Sequence, residues 1–386
     1  MELTTRHSRE VSIDYLRAFI TILVLLHHSA LAYTTFAHFD VSNYLASTAP
    51  IVDSHRWIVL DYVENFNDVF FMSLMFFISG LFVWRALKRK GVSAFLRDRV
   101  LRLGVPFLVG TVFLMPLAYY PSFLEAGGNS AYVRYWFDFL SGPWPPGPLW
   151  FLWLLLVFDL LAATLFLIVG PKQRKQFSIR SGIKAFLALF GIGFFVYLPM
   201  LAHFGFSAWI PLGLPPLYFQ PARFFLYLTW FVFGAIVGTA GTSTGIIAEG
   251  GPLARHWPLW LAACVIVYNL LWFVPPALAN PHVSKPLHDL TYVILWVLSC
   301  CASCFGFVAL FRGTVRKHRK WMDSVVRAAY MMYIVHYVFV IWTQYLLLPV
   351  SAPAEVKFVI TLAATIAASW LTASLVLRVR ILRSVL

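Results

Sequence analysis

The chain has 386 residues, of which 60% are hydrophobic and 12% are charged, and its mean hydropathy is +0.77. Soluble domains hold about 45–50% apolar and about 25% charged residues, so this composition excludes an ordinary soluble protein. A net charge of +14 would suggest nucleic-acid binding if the basic residues lay on a solvated domain. They lie instead in short segments between apolar runs, so we expect a lipid bilayer as partner and no nucleic acid.

Ten apolar stretches are long enough to cross about 30 Å of hydrocarbon. They fall at residues 12–35, 67–88, 100–120, 148–169, 183–204, 222–240, 258–274, 289–311, 325–348 and 355–377. The sequence therefore predicts an all-α fold, a polytopic membrane bundle of about ten transmembrane helices that forms one domain over residues 1–386. We expect no appended soluble domain, and we interpret the first stretch as an uncleaved helix rather than a signal peptide.

The basic residues predict which side of the membrane each loop faces. Loops on the N-terminal side carry 24 lysines and arginines, whereas the opposite loops carry five, namely Arg56, Arg134, Arg223, Lys285 and Lys357. Because cytoplasmic loops are rich in Lys and Arg, both termini are predicted to be cytoplasmic. The outer loops 36–66 and 121–147 are acidic and aromatic, which suits a sugar-like ligand, although interfacial aromatic belts are a simpler explanation.

The first stretch carries ionisable residues that a plain membrane anchor does not need. In "IDYLRAFITILVLLHHSALAY", Asp14 and Arg17 lie near one end, and His27 and His28 lie inside. Such side chains are costly at membrane depth and are usually functional. Arg17 and His28 are eleven residues apart, which places them on one helix face with a height difference of about 16 Å. This face is predicted to hold a phosphate-binding cation and a titratable base, whereas His27 points about 100° away and is expected to be structural.

Two segments in the next helices are further candidates. "MSLMFFISGLF" places Ser79 and Gly80 inside the second stretch, where close helix packing is the default interpretation. "FLRDRVLRLGVP" opens the third stretch, and its Arg99 and Arg102 are expected to share an α-helical face at i,i+3. Arginine forks suit phosphoryl oxygens, but any cytoplasmic loop is basic, so a topology signal is the simpler alternative.

The later stretches add an aromatic residue, a third intramembrane histidine and the cysteines. Trp150 begins the fourth stretch on the outer side, where an interfacial belt residue is the simple interpretation. His336, in "YMMYIVHYVFV", lies near mid-depth of the ninth stretch and is expected to reach the depth of His28, which suggests a central polar cavity. All cysteines lie in apolar stretches, so packing is favoured over a redox or metal site, and no metal is predicted.

Taken in chain order, these stretches resemble the bacterial integral-membrane acyltransferase family 3. "IDYLR" followed by "HH" is similar to the LD-x-LR…H pattern of its first helix, "FFISGLF" to its Phe-Phe-x-x-Ser-Gly segment, and "FLRDRVLRLGVP" to its arginine-rich third helix. "PLWFLWLLLVF", "WFVFGAIVG" and "YMMYIVHYVFV" resemble its later segments. The chain departs from the pattern at Ile13 and in the spacing of Pro106, which leaves the arginine register open. The opening "SREVSIDYLRAF" resembles the branch of periplasmic-glucan succinyltransferases.

The resemblance implies O-acylation of an extracytoplasmic or lipid-linked glycan, with cytoplasmic acyl-CoA as donor of an acetyl or succinyl group and no bound cofactor. It implies that His28 is catalytic and that Arg17, Arg99 and Arg102 bind acyl-CoA. The supporting residues would be Asp14, His27, Ser79, Gly80, Trp150 and His336. The alternatives are a transporter or flippase that uses Arg17, His28 and His336 as an anion or proton relay, and a sensor or assembly factor. Direct transfer and a transient acyl-histidine both remain open.

Overall fold

The computed structural model of the protein describes residues 10–170, 179–279 and 283–379. Within these ranges, ten helices are long and apolar enough to cross a membrane. They are α1 (Val11–Leu31), α2 (Ile58–Lys90), α3 (Val92–Glu125), α4 (Gly147–Val169), α5 (Gly182–Phe204), α6 (Pro221–Ala240), α7 (Trp257–Leu278), α8 (Lys285–Thr314), α9 (Lys320–Leu347) and α10 (Ala354–Val376). Each predicted stretch overlaps one of them, so the predicted multi-pass helical membrane protein is confirmed.

Short elements fill the connections between these helices. An amphipathic helix, Tyr132–Ser141, follows α3, and a single helical turn, Pro252–Arg255, precedes α7. Between α5 and α6, strands β1 (Ile210–Pro211) and β2 (Tyr218–Phe219) pair in an antiparallel hairpin with Ile210 opposite Phe219. The helices therefore carry nearly all of the described core.

The second helix begins earlier than the sequence predicted. α2 starts at Ile58, so the interpretation of residues 36–66 as one outer loop is wrong for its last third. Asp61 and Glu64 lower the hydropathy of the first turns of α2, so a prediction from hydropathy assigns these turns to the preceding loop. Both carboxylates have partners in the fold: Asp61 accepts a hydrogen bond from the Thr35 backbone N–H at 2.7 Å, and Glu64 faces His27. Polar contacts make this acidic helix start stable inside the bundle.

The third helix has two π-helical turns, Val100–Gly104 and Gly110–Leu114. It also contains three prolines, Pro106, Pro116 and Pro121, each of which lacks a backbone N–H group. The carbonyl four residues before each proline loses its usual donor. An aromatic side chain from another element donates to each of these carbonyls instead. The donor and acceptor pairs are Tyr330 with Arg102, Trp136 with Val112 at 2.8 Å, and Trp342 with Leu117 at 2.9 Å. The prolines thus fix α3 to α9 and to the amphipathic helix.

Glycines allow α2 and α6 to pack backbone against backbone. A Cβ atom at Gly80 would collide with the carbonyl oxygen of Phe231, and one at Gly234 would collide with that of Phe77. Small residues at such crossings let helices approach closely in a membrane. Ser79 beside them bonds to the Met75 carbonyl of its own helix at 2.9 Å. Gly80 and Ser79 therefore have a packing role in this fold.

Two buried ion pairs mark opposite ends of the bundle. At one end, the buried Arg312 side chain in the last turn of α8 donates to Glu10, just before α1, at 2.7 Å. At the other end, the Lys357 ammonium of α10 lies 2.6 Å from the Asp53 carboxylate in the loop after α1, and both side chains are buried. The start of α1 and the end of α8 therefore share one face of the bundle, as alternating crossings require.

Reporter fusions along the chain test which face is cytoplasmic. Fusions after residues 130 and 280 should read outside, and fusions after residues 175 and 318 should read inside, because the basic loops alternate without exception. Positions 175 and 280, and part of the basic set, lie outside the described residues. Two reversed readings would contradict the predicted orientation.

Candidate active site

His28 lies in the last turn of α1, nearer the helix end than the sequence suggested, and is partly exposed, although the residues on either side of it are buried. The centroid of its ring lies 5.3 Å from that of His336 and 5.1 Å from that of Tyr337, both on α9. Its Nδ1 atom is buried and has no hydrogen-bond partner among the described residues. The packing of α1 against α9 thus brings together the two histidines that the sequence placed at one depth, and leaves His28 accessible.

His336 is held by its own helix. Its side chain is fully buried, and its Nδ1 atom lies 2.7 Å from the carbonyl oxygen of Tyr333. The Tyr333 hydroxyl in turn donates to the Pro148 carbonyl at the start of α4. The Nε2 atom of His336 is buried without a partner in the described part of the chain. This imidazole therefore has one nitrogen occupied and the other available.

His27 faces α2 rather than α9. Its side chain is 8% exposed, its ring packs against Phe71 at a centroid distance of 5.1 Å, and its Nε2 atom lies 3.6 Å from the Glu64 carboxylate. The rings of His27 and His28 meet edge to face at 5.1 Å. The helical-face argument thus separated the two neighbours as expected, and His27 belongs to the contact between α1 and α2.

An ion pair that the sequence analysis missed joins α2 to α6, one turn beyond Glu64. Both carboxylate oxygens of Asp68 accept hydrogen bonds from Arg223 on α6, at 2.6 and 2.5 Å. The Arg223 guanidinium also lies 5.0 Å from the centroid of the Trp296 ring. Arg223 was counted with the outer loops, whereas it is buried in the first turn of α6. The sequence did contain a signal for this pair. Glu64 and Asp68 are carboxylates at i and i+4, and Arg223 is a single arginine at the start of another apolar stretch.

Arg17 lies at the end of α1 that also carries Glu10. Its Nη2 atom is 3.2 Å from the Asp14 carboxylate, and its side chain is 46% exposed. The guanidinium also approaches the Phe82 ring of α2, at 5.9 Å from its centroid. A cavity of about 210 Å³ at this end is lined by Val11, Asp14, Tyr15, His318, Asp323, Val326 and Arg327. Arg17 is not among these lining residues, but its half-exposed side chain is accessible to a ligand that arrives from this side.

The two arginines of α3 have different surroundings. The Arg99 Nε atom lies 3.2 Å from the buried Asp159 carboxylate of α4, an ion pair without hydrogen-bond alignment, and its guanidinium lies 4.9 Å from the centroid of the Phe95 ring. Arg102 is exposed. The expected α-helical face at i,i+3 does not hold, because the intervening segment Val100–Gly104 is π-helical and takes more residues per turn. Arg99 faces α4, and Arg102 faces out.

Trp150 is part of an aromatic cluster rather than a single belt residue. Its ring stacks on Tyr227 of α6 at 5.7 Å and meets Trp209, the residue before β1, edge to face at 5.7 Å. The four cysteines are buried and free of disulfides. Across residues 10–170, 179–279 and 283–379, no three His, Cys, Asp or Glu side chains are grouped so as to hold a metal ion.

Comparison with known proteins places this arrangement in a family. The family model described as an acyltransferase domain matches residues 10–374. The glucans biosynthesis protein C of Shigella dysenteriae serotype 1 is 27% identical over 258 residues, which cover 59% of this chain and 58% of that protein. Its counterpart in Escherichia coli K12 is 26% identical with the same coverage, so the chain spans little more than half the length of these relatives. No solved structure matches the chain. Because the family model spans nearly all of it, the chain belongs to the integral-membrane acyltransferase family 3.

Proposed function

We propose that this protein transfers an acyl group from cytoplasmic acyl-CoA to a hydroxyl group of an extracytoplasmic or lipid-linked glycan. The observation that carries the proposal is a partly exposed His28 in the last turn of α1, beside His336 of α9, in a chain of an acyltransferase family. The name of the matched relatives, glucans biosynthesis protein C, supports a glucan as the acceptor class. The protein would act in the bacterial cytoplasmic membrane with both termini inside.

The arginines at the cytoplasmic end would hold the donor. CoA carries several negative charges, and arginine forks bind phosphoryl oxygens through paired N–H donors. Arg17 and Arg102 are accessible there, and Arg99 is partly so. Arg17 lies about 16 Å below His28 along α1, a distance that a pantetheine arm can span in order of magnitude.

His28 would serve as the general base at the other end of that arm. It removes the proton of the acceptor hydroxyl, and the oxygen attacks the thioester carbonyl. The carbon–sulfur bond then breaks, and the CoA thiolate takes the proton back from His28, so that an ester and free CoA leave. A transient acyl-histidine would use the same side chain as nucleophile.

The test is acyl transfer by the purified protein in lipid nanodiscs. Acetyl-CoA or succinyl-CoA should release free CoA only when a glucan is added, and the glucan should gain the mass of the acyl group. Buried charges such as the Asp68–Arg223 pair are also typical of transport paths. Glucan or proton movement across vesicles without any acylated product would favour the transporter alternative and contradict the proposal.

Neutral substitution of the arginines on α3 should weaken donor binding. Arg99→Gln and Arg102→Gln should each raise the KM for acyl-CoA and change the acceptor KM less, because a desolvated charge contact typically contributes about 2–5 kcal/mol. Initial rates at varied acyl-CoA measure this. Arg99→Gln is made with Asp159→Asn, since Asp159 would otherwise be a buried, unpaired carboxylate.

Arg97→Gln is the matched control for these variants. Arg97 is exposed and lies near the start of the same helix. Its substitution by glutamine removes the same charge from this segment. An unchanged donor KM in the Arg99 and Arg102 variants, with the protein folded, would leave this cluster as a topology signal only. Equal shifts in all three variants would indicate a general electrostatic effect rather than specific contacts.

A further inference from the structure

The hydrogen-bond partners of His336 determine which of its nitrogens carries the proton. Nδ1 lies 2.7 Å from the Tyr333 carbonyl oxygen, and a carbonyl only accepts hydrogen bonds. Nδ1 must therefore be the N–H of the neutral ring, which leaves a lone pair on Nε2. That Nε2 atom is fully buried and unpartnered within the described ranges. A buried acceptor without a donor is rare and asks for an explanation.

His27 lies on the other side of His28 and also has an unpartnered nitrogen. Its Nε2 atom lies 3.6 Å from the Glu64 carboxylate, beyond hydrogen-bond distance, and its buried Nδ1 atom has no partner among the described residues. Of the two imidazole neighbours of His28, His336 is therefore the one whose hydrogen bond fixes the position of a lone pair. The buried Nδ1 atom of His28 has no partner among the described residues either, and an N–H there is the complement that the Nε2 atom of His336 can accept. In that tautomer the lone pair of His28 lies on Nε2.

His336 is the better placed of these two neighbours. The rings of His27 and His28 meet edge to face at 89°, so the edge of one ring points at the face of the other and not at an in-plane lone pair. His336 reaches His28 from α9, with ring centroids 5.3 Å apart and planes inclined by 34°. It is also held from behind by Tyr333, whose hydroxyl is tied to the Pro148 carbonyl of α4.

We propose that His336 is a positioning residue for His28. In this role the Nδ1–H of His28 donates to the Nε2 lone pair of His336, because both atoms are buried and otherwise unpartnered among the described residues, and the His28 Nε2 lone pair is left for the acceptor hydroxyl. The chain of contacts runs from the Tyr333 carbonyl through His336 to His28, with the role that a carboxylate has behind the histidine of a serine hydrolase. This inference rests on the proposed function, because it assigns His28 the role of base.

A matched pair of variants separates positioning from packing. Glutamine and methionine have similar size and shape, but only glutamine brings a strong acceptor close to the place of Nε2. His336→Met should lower kcat by about 10²-fold, the effect of a misplaced reacting group, with little change in either KM. His336→Gln should recover most of kcat. The assay uses the full chain in nanodiscs with acetyl-CoA or succinyl-CoA and a glucan, and thermal unfolding checks that both variants fold.

The outcomes distinguish this inference from the proposed function. Equal kcat values in the Gln and Met variants, or a loss of kcat in His27→Phe but not in His336→Met, would overturn the role of His336. If His28→Ala is inactive while His336→Met matches the unmodified protein, only the positioning role is wrong. If His28→Ala keeps full activity, the assignment of the base fails, and the role of His336 fails with it.

Discussion

Replacing His28 with alanine is expected to remove acyl transfer while the protein stays folded and still binds acyl-CoA. His28 is partly exposed in the last turn of α1, and its ring contacts those of His336 and Tyr337. Loss of a general base typically lowers the rate by about 10²–10⁴-fold. Transfer activity at matched membrane abundance, together with protection by acyl-CoA against thermal unfolding, measures both halves of this expectation.

His27→Ala is the matched control, since it removes the neighbouring imidazole from the same helix. His27 is buried against α2 and faces Glu64, so its loss should lower stability more than activity. An active His28→Ala with an inactive His27→Ala would show that the helical-face argument selected the wrong histidine. If both variants remain active, the enzymatic interpretation of this helix fails, and the transporter alternative gains support.

Replacing Arg312 with leucine is expected to destabilise the whole bundle strongly. The buried guanidinium donates to Glu10 at 2.7 Å, to Ser12 at 2.9 Å and to the Thr242 carbonyl at 2.6 Å. These bonds join the start of α1 to the segment after α6 and to the end of α8. Breaking a buried ion pair by removing one partner typically costs about 3–5 kcal/mol, because the other charge is left unpaired. The midpoint of thermal unfolding in detergent should fall accordingly.

Arg316→Leu provides the comparison, four residues later and just beyond the end of α8. Arg316 is 44% exposed and pairs with Glu249 on the surface, and such pairs contribute about 0–1 kcal/mol. Adding Glu10→Gln to Arg312→Leu should recover part of the loss, because it removes the unpaired carboxylate. A fall in midpoint for Arg312→Leu no larger than that for Arg316→Leu would contradict a structural role of this network.

The same network predicts a dependence of stability on pH. Burial raises the pKa of Glu10, but hydrogen bonds from Thr242 and Arg312 outweigh it and hold the pKa below its ordinary value. A lowered pKa in the folded state means that the ionised carboxylate stabilises the fold. This contribution is complete above the unfolded pKa of about 4.3 and is lost as pH falls through the lower folded value.

Hydropathy alone predicted the ten candidate membrane-spanning helices of the described chain, because a stretch that crosses hydrocarbon must be long and apolar wherever it packs. The family was recognisable for a similar reason, since its motifs are local. The separation of His27 from His28 also followed from sequence, because the angle between consecutive residues is a property of the helix itself.

Features that depend on partners from distant parts of the chain were not predictable in this way. The first turns of α2 looked like a loop because Asp61 and Glu64 are polar, and only Thr35 and His27 from elsewhere make them acceptable inside the bundle. Arg223 looked like a loop charge because nothing local shows that Asp68 lies opposite it.

The sequence by itself determined the number and order of the membrane-spanning helices and the face of α1 on which Arg17 and His28 lie, since both depend on composition and helical period. Only the tertiary structure decided that His336 meets His28, that Arg99 is held by Asp159, and that Arg102 lies in a π-helical turn that begins just after Arg99. The physical reason is that the helices of a membrane protein associate through side-chain packing and polar pairs rather than through hydrophobic burial. Those contacts depend on which faces of distant helices meet, which a local pattern does not contain.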